Sequence, residues 1–157
     1  MESAQHLKST ISIMVAEDDE ICRTLFKFII CRNFPDVTLY LAADGGEGVK
    51  LFKKHLPQIV ITDLNMPGMD GIEMSLEIKA IKADTRIVVV TAYDDEDCRG
   101  KCEKIGPSDY LTKPIVISTL LAVVERCVAG IAAESKKDAR AVARLERSTL
   151  QPVTVTD

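Results

Sequence analysis

Residues 58–71 read Gln58-Ile59-Val60-Ile61-Thr62-Asp63-Leu64-Asn65-Met66-Pro67-Gly68-Met69-Asp70-Gly71. The first five are mostly aliphatic and β-branched, with little polar alternation. That is how a strand covered on both faces looks. A carboxylate, Asp63, stands just past it. A helical pattern then carries Ile72, Leu76 and Ile78 through residues 71–81. Strand, acid, loop and helix in this order are the unit of an α/β fold.

The unit recurs on both sides. Strand-like runs occupy 11–16, 37–41, 86–90 and 109–111; the first three also look covered on both faces, and the last is short and weak alone. Helical patterns occupy 21–31, 46–54, 94–104 and 118–131. In the first, Ile21, Leu25, Phe28 and Ile29 share one face. Val49 and Phe52 serve the second. The 94–104 segment is mostly charged, and 118–131 carries Leu120, Leu121, Val124 and Val128. Five strands each followed by a helix predict a parallel sheet with helices on both faces.

In such sheets the ligand site lies outside the carboxyl ends of the strands. The residues there are Glu17-Asp18-Asp19-Glu20 after the first strand and Asp63 after the third. Thr91 and Ala92 follow the fourth. Lys113 and Pro114 follow the fifth. Clustered carboxylates repel one another unless a cation joins them. Oxygen-only ligands with room for water suit Mg²⁺. A central carboxylate such as Asp63 can also act as a nucleophile that forms an acyl phosphate. Lys113 and a metal ion would then offset the phosphoryl charge, and the Thr91 hydroxyl would donate to an outer oxygen.

Each residue also has a plainer reading. Asp18 or Asp19 could cap the next helix. Asp63 could be a turn residue, Thr91 a cap for the segment from Asp94, and Lys113-Pro114 a solvated loop. Four such coincidences on one sheet edge are harder to accept than one site.

These stretches resemble the bacterial response-regulator receiver domain, of the chemotaxis-regulator-like kind. Ile13-Met14-Val15-Ala16-Glu17-Asp18-Asp19-Glu20 is similar to the family's opening. Asp63-Leu64-Asn65-Met66-Pro67-Gly68-Met69-Asp70-Gly71 resembles its phosphoacceptor loop. Val90-Thr91-Ala92 resembles the switch-threonine segment, and Asp109-Tyr110-Leu111-Thr112-Lys113-Pro114 the lysine motif. The resemblance spans about residues 10–130, and the motifs are specific in combination.

The resemblance implies a flavodoxin-like (βα)5 doubly wound sheet, five parallel strands in the order 2-1-3-4-5. It implies Asp63 as phosphoacceptor. Mg²⁺ would be held by Asp18, Asp63 and the Asn65 backbone carbonyl, with Glu17 acting through a metal-bound water. Arg23 supports Glu17 and Asp18 as the pair, with Asp19 the second choice. Lys113 would pair with the phosphoryl group. Thr91, Ala92 and Tyr110 would form the switch, and the Lys113-Pro114 peptide would be cis. Asn65 and Tyr93 would flank the path of hydrolytic water. One departure is Pro107, between Gly106 and Ser108, which fixes the backbone before the fifth strand.

The expected function is that of a signalling switch, not an enzyme beyond its own phosphoryl transfer and dephosphorylation. A histidine kinase or histidine phosphotransfer protein would donate to Asp63. The surface of the fourth helix, fifth strand and fifth helix would then change and control a partner, an output domain or a homodimer. The rival within the family is a degenerate receiver that binds partners without phosphorylation. The five residues Glu17, Asp18, Asp63, Thr91 and Lys113 together weigh against it. A flavodoxin-like cofactor protein would need a Gly- and hydroxyl-rich phosphate loop where Glu17–Glu20 stand. A haloacid-dehalogenase-like phosphatase would need a carboxylate at position 65. Gly45-Gly46-Glu47-Gly48 lacks the spacing of a nucleotide fingerprint.

Composition fits this reading. The chain has 157 residues, 46% of them hydrophobic but only 4% aromatic, so its core must be aliphatic. A formal charge of −4 argues against direct nucleic-acid binding by this chain. No apolar run approaches the roughly 18 residues of a membrane span. The N-terminal ten residues lack an apolar signal core. Five cysteines at irregular spacing (Cys22, Cys31, Cys98, Cys102, Cys127) suggest free thiols in a reducing, cytoplasmic compartment. His6 and His55 are not at ligand spacing to the Cys98–Cys102 pair.

Residues 10–131 are expected as the receiver domain and 132–157 as a helical extension or linker. Ala, Lys, Arg and Glu dominate 132–147. Leu121, Val124, Val128, Ile131, Ser135, Asp138, Val142 and Leu145 keep a heptad register, but Ser135 and Asp138 break the seam. An exposed tail and a coiled coil remain alternatives. Residues 148–157 read as a loop or a cut end.

Overall fold

In the computed structural model, residues 10–92 and 96–149 are described, with backbone alone at 96–99. Five strands alternate with five helices: β1 (Ser12–Ala16), α1 (Glu20–Asn33), β2 (Thr38–Ala42), α2 (Gly45–His55) and β3 (Ile59–Asp63) come first. Then follow α3 (Gly71–Ile81), β4 (Arg86–Thr91), α4 (Glu96–Glu103), β5 (Asp109–Thr112) and α5 (Ile117–Thr149). All pairings are parallel and the order is β2-β1-β3-β4-β5. The expected fold class and strand order are therefore present.

Successive strand residues point to opposite faces. Ile13, Val15, Ile59, Ile61, Val88 and Val90 accordingly join a core with α1 and α5. Their neighbours Met14, Ala16, Val60, Ile87 and Val89 join another with Val49 and Phe52 of α2 and Met74 and Ile78 of α3. A fully buried side chain of this size contributes about 1.5–3 kcal/mol relative to exposure. Two such layers hold the three central strands rigidly, and their carboxyl ends carry the site.

Two expectations need correction. β2 is an edge strand, with Thr38 exposed, Leu39, Tyr40 and Leu41 half-buried and Ala42 alone buried, although its sequence lacks charge. Apolar composition reported its β propensity, not cover on both faces. The buried face of α1 is Phe26, Ile29 and Ile30, whereas Ile21 (78% exposed), Leu25 (53%) and Phe28 (62%) face outward. The run from Leu25 to Cys31 is apolar on nearly every side, so periodicity could not select the core face.

Helix α5 continues without a break past Ile131, but burial stops there. Arg86 pairs with Glu134 at 2.8 Å and fixes the helix as it leaves the sheet. Among the described residues, Cys22, Cys31, Cys102 and Cys127 form no disulfide. No described helix is long and apolar enough to cross a membrane. His6, Tyr93, Asp94, the Cys98 side chain and residues 150–157 lie outside the described residues.

Candidate functional site

β1, β3, β4 and β5 end on one edge, and each delivers a polar residue there. Glu17 follows β1 and is buried, at 1% exposure. Asp63 is the last residue of β3, also buried, at 7%. Thr91 ends β4 and is buried. Lys113 follows β5, and its backbone N–H donates to the Thr91 carbonyl at 2.9 Å. The edge of the sheet thus places Lys113 beside the acids of β1 and β3.

The Lys113 ammonium lies 2.8 Å from Asp63 Oδ2 and 3.1 Å from Glu17 Oε2. Burial would lower its pKa, but hydrogen bonds to Asp63 and Glu17 and their charges outweigh that and hold the ammonium well above the usual lysine range. Glu17 moves up from the ordinary carboxylate value because burial disfavours its charge; Asp63 adds to the rise and Lys113 opposes it. Glu17 Oε2 has no hydrogen bond despite being buried. Its 3.1 Å approach to Lys113 is an ion-pair distance without hydrogen-bond geometry. One cation is shared between two buried carboxylates, and one oxygen remains unsatisfied.

Asp18 completes the cluster. One carboxylate oxygen each of Glu17, Asp18 and Asp63 lies within 4.8 Å of the others. Asp18 is exposed, so the cluster opens to solvent on its side. Asp19 points elsewhere: its Oδ1 accepts from Ile21 N (2.8 Å) and Cys22 N (3.1 Å), capping α1. The two readings of the acidic run therefore separate, with Asp18 in the cluster and Asp19 as cap. Arg23 holds the turn, its Nη1 donating to the Glu17 carbonyl at 2.9 Å and the Asp18 carbonyl at 3.4 Å.

An all-oxygen donor set with a buried, unsatisfied carboxylate oxygen and a solvent-facing side fits a hard divalent cation that retains water. Asn65 is exposed, and its backbone N–H donates to Asp63 Oδ1 at 3.1 Å. Ala92 and Tyr110 are exposed, and the Lys113-Pro114 peptide is cis.

Sequence reasoning missed two features. Gly71 starts α3 directly under Asp63, where a Cβ would lie 2.0 Å from the Asp63 carbonyl oxygen. Asp70 caps that helix, accepting from Glu73 N at 2.9 Å. An Asp-Gly pair at a helix start was the available signal. The second is the direct Lys113–Glu17 contact, between residues 96 apart in the chain, which no local pattern reveals.

The division of labour between neighbours is testable. Asp19→Ala is expected to cost about 1 kcal/mol of stability, the usual value of an N-cap, with divalent-cation affinity retained. Asp18→Asn should leave metal-free stability nearly unchanged and weaken Mg²⁺ binding at least tenfold. Thermal melts with and without Mg²⁺ check both. Equal loss of Mg²⁺ response in the two variants would contradict the assignment.

The family model described as the response regulator receiver domain matches residues 13–125. Response regulator MprA of Mycobacterium sp. (strain KMS) is 31% identical over 144 residues, which cover 92% of this chain. The chain spans only 61% of MprA's length. Among solved structures, the N-terminal domain of an uncharacterized protein from Wolinella succinogenes is 33% identical, with a TM-score of 0.74, covering 79% of this chain and 98% of that one. A CheY-like response regulator receiver domain protein from Methanospirillum hungatei JF-1, 21% identical, shares the fold with a TM-score of 0.74 over 80% of this chain and 99% of its own.

Proposed function

Since the chain belongs to the response regulator receiver family of two-component signalling, we propose that it is a phosphorylation switch whose acceptor is Asp63. The observation that carries this is the Lys113 ammonium 2.8 Å from a buried Asp63 that shares a carboxylate cluster with Glu17 and Asp18. The donor would be a phosphohistidine on a histidine kinase or phosphotransfer protein in the cytoplasm. An Asp63 carboxylate oxygen attacks phosphorus, the P–N bond breaks, a P–O bond forms, and the imidazole leaves with its electron pair.

Mg²⁺ would be held by Asp18, Asp63 and the Asn65 carbonyl, with Glu17 through water, and would supply charge neutralisation at the phosphoryl oxygens. Lys113, already charged and aimed at Asp63, would transfer its ion pair to a phosphoryl oxygen. The Thr91 hydroxyl would donate to another, with the Ala92 segment following and Tyr110 turning inward. Pro114 shapes the turn that presents Lys113. Such movements would bias the face of α4, β5 and α5 between two states. We assign residues 10–131 to the receiver and the remainder to a helical extension. Self-association through that face or the extension is the output this reading allows.

Binding of a phosphoryl mimic tests the reading. With Mg²⁺ and beryllofluoride together, melting should rise by several degrees, since a ligand at a hundredfold its Kd adds about 2.7 kcal/mol. Asp63→Asn should abolish the joint effect. No rise in the wild type would favour a degenerate receiver that acts without phosphorylation.

A further inference from the structure

Beyond Ile131, α5 is exposed and carries five cations: Lys136, Lys137, Arg140, Arg144 and Arg147. At about 100° per residue, all five fall within about 100° of arc. They extend over about 16 Å of helix at ~1.5 Å per residue. The acids of this stretch, Glu134, Asp138 and Glu146, lie outside that arc, and Glu134 is engaged with Arg86. Among the described residues no acid pairs with any of the five cations. Ile131, Val142 and Leu145 lie on the opposite side, so the cationic face is turned away from the line that continues the core.

Lys136–Arg140 and Arg140–Arg144 are like-charge pairs four apart, which weaken an isolated helix. An external polyanion would reverse that penalty. Arg140, Arg144 and Arg147 stand beside the small side chains of Ala139 and Ala143 on this open helix surface. Nothing bulky stands between the guanidiniums and an approaching backbone. Regularly spaced guanidinium and ammonium groups on one helix face match a ladder of phosphates better than a folded acidic surface, because phosphates recur along a strand and accept bidentate arginine bonds.

We propose that the 136–147 face of α5 binds the phosphate backbone of duplex DNA without reading sequence. The net charge of −4 argues against nucleic-acid binding by the chain taken as a whole. The acidic excess is carried by the receiver portion, while the extension is locally cationic.

The test is fluorescence anisotropy of a labelled duplex of arbitrary sequence with the full chain, across a salt series. Binding is expected at low salt, with log K falling by about 0.9 per phosphate neutralised for each decade of salt. The pair Arg140→Glu and Arg144→Glu should weaken it at least tenfold and flatten the slope, with helicity by circular dichroism unchanged. A second pair, Lys136→Glu and Arg147→Glu, should do the same. No binding at about 50 mM salt, or equal binding by both pairs and wild type, would overturn the proposal. So would displacement of the duplex by polyglutamate at equal charge concentration, which would point to an acidic polypeptide instead.

Discussion

Lys113→Ala is expected to destabilise the metal-free protein by about 3 kcal/mol, the lower end for breaking a buried ion pair. The lower end applies because the Lys113 side chain is 23% exposed, whereas those of Glu17 and Asp63 are 1% and 8% exposed. Removing the ammonium leaves two buried carboxylates facing each other. Mg²⁺ should recover much of the loss, because a cation again joins the oxygens. The sign with pH follows from Glu17, whose folded pKa is raised by burial. A carboxyl with the higher pKa in the folded state binds more protons there, so lowering the pH stabilises the fold relative to the unfolded chain. The deficit of Lys113→Ala should therefore be full at neutral pH and shrink as the pH falls through the acid range. Wild-type Lys113 behaves in the opposite window. Its raised pKa gives stability that is complete below the ordinary lysine value and is lost only as the pH climbs past it. Urea unfolding at several pH values, with and without Mg²⁺, measures all of this. A deficit independent of both pH and Mg²⁺ would contradict the shared-cation account.

Gly71→Ala should be as damaging although it adds one methyl group. Its Cβ would meet the Asp63 carbonyl oxygen at 2.0 Å and the Leu64 Cα at 3.0 Å. Both are backbone atoms, so no side chain can swing aside. Overpacking ordinarily costs about 1–3 kcal/mol, and a backbone collision belongs at the top of that range, about 10 °C in melting temperature. The consequence for chemistry should exceed that for stability. Relief of the clash requires the Asp63–Leu64 backbone to shift, and a shift near 1 Å can cost about a hundredfold in rate. Phosphoryl uptake per folded molecule, measured below the variant's melting temperature, should fall accordingly. Gly68→Ala is the comparison: its φ is +75°, but nothing lies within 4 Å of its Cβ position, so it should lose stability with Asp63 left in place.

Much of the site was legible because its residues sit at strand ends, where α/β topology forces them together. Glu17, Asp18, Asp63, Thr91 and Lys113 could be gathered from the parallel α/β pattern alone, because residues past the carboxyl ends of its strands share one edge. The order of β2-β1-β3-β4-β5 came from resemblance, since each strand's local sequence says nothing of its neighbours. Which of Asp18 and Asp19 caps the helix was open in sequence, although the resemblance and Arg23 favoured Asp18 over Asp19 as the partner of Glu17. Hydrogen bonds from Ile21 and Cys22 resolve it in space. The core face of α1 was illegible for a different reason. Phe26, Ile29 and Ile30 are buried while Ile21, Leu25 and Phe28 are not, yet all six are equally apolar. An apolar groove of about 260 Å³ between α1 and Lys113-Pro114-Ile115 adjoins that outward patch. The face that periodicity suggested for the core is thus exposed beside Lys113.

The most direct measurement is intact mass after incubation with Mg²⁺ and a small-molecule phosphodonor, comparing wild type with Asp63→Asn. The account predicts one phosphoryl adduct on the wild type, none on the variant and none when Mg²⁺ is chelated. An adduct that persists in Asp63→Asn, or forms equally without Mg²⁺, would contradict Asp63 as the acceptor in a metal-assisted site.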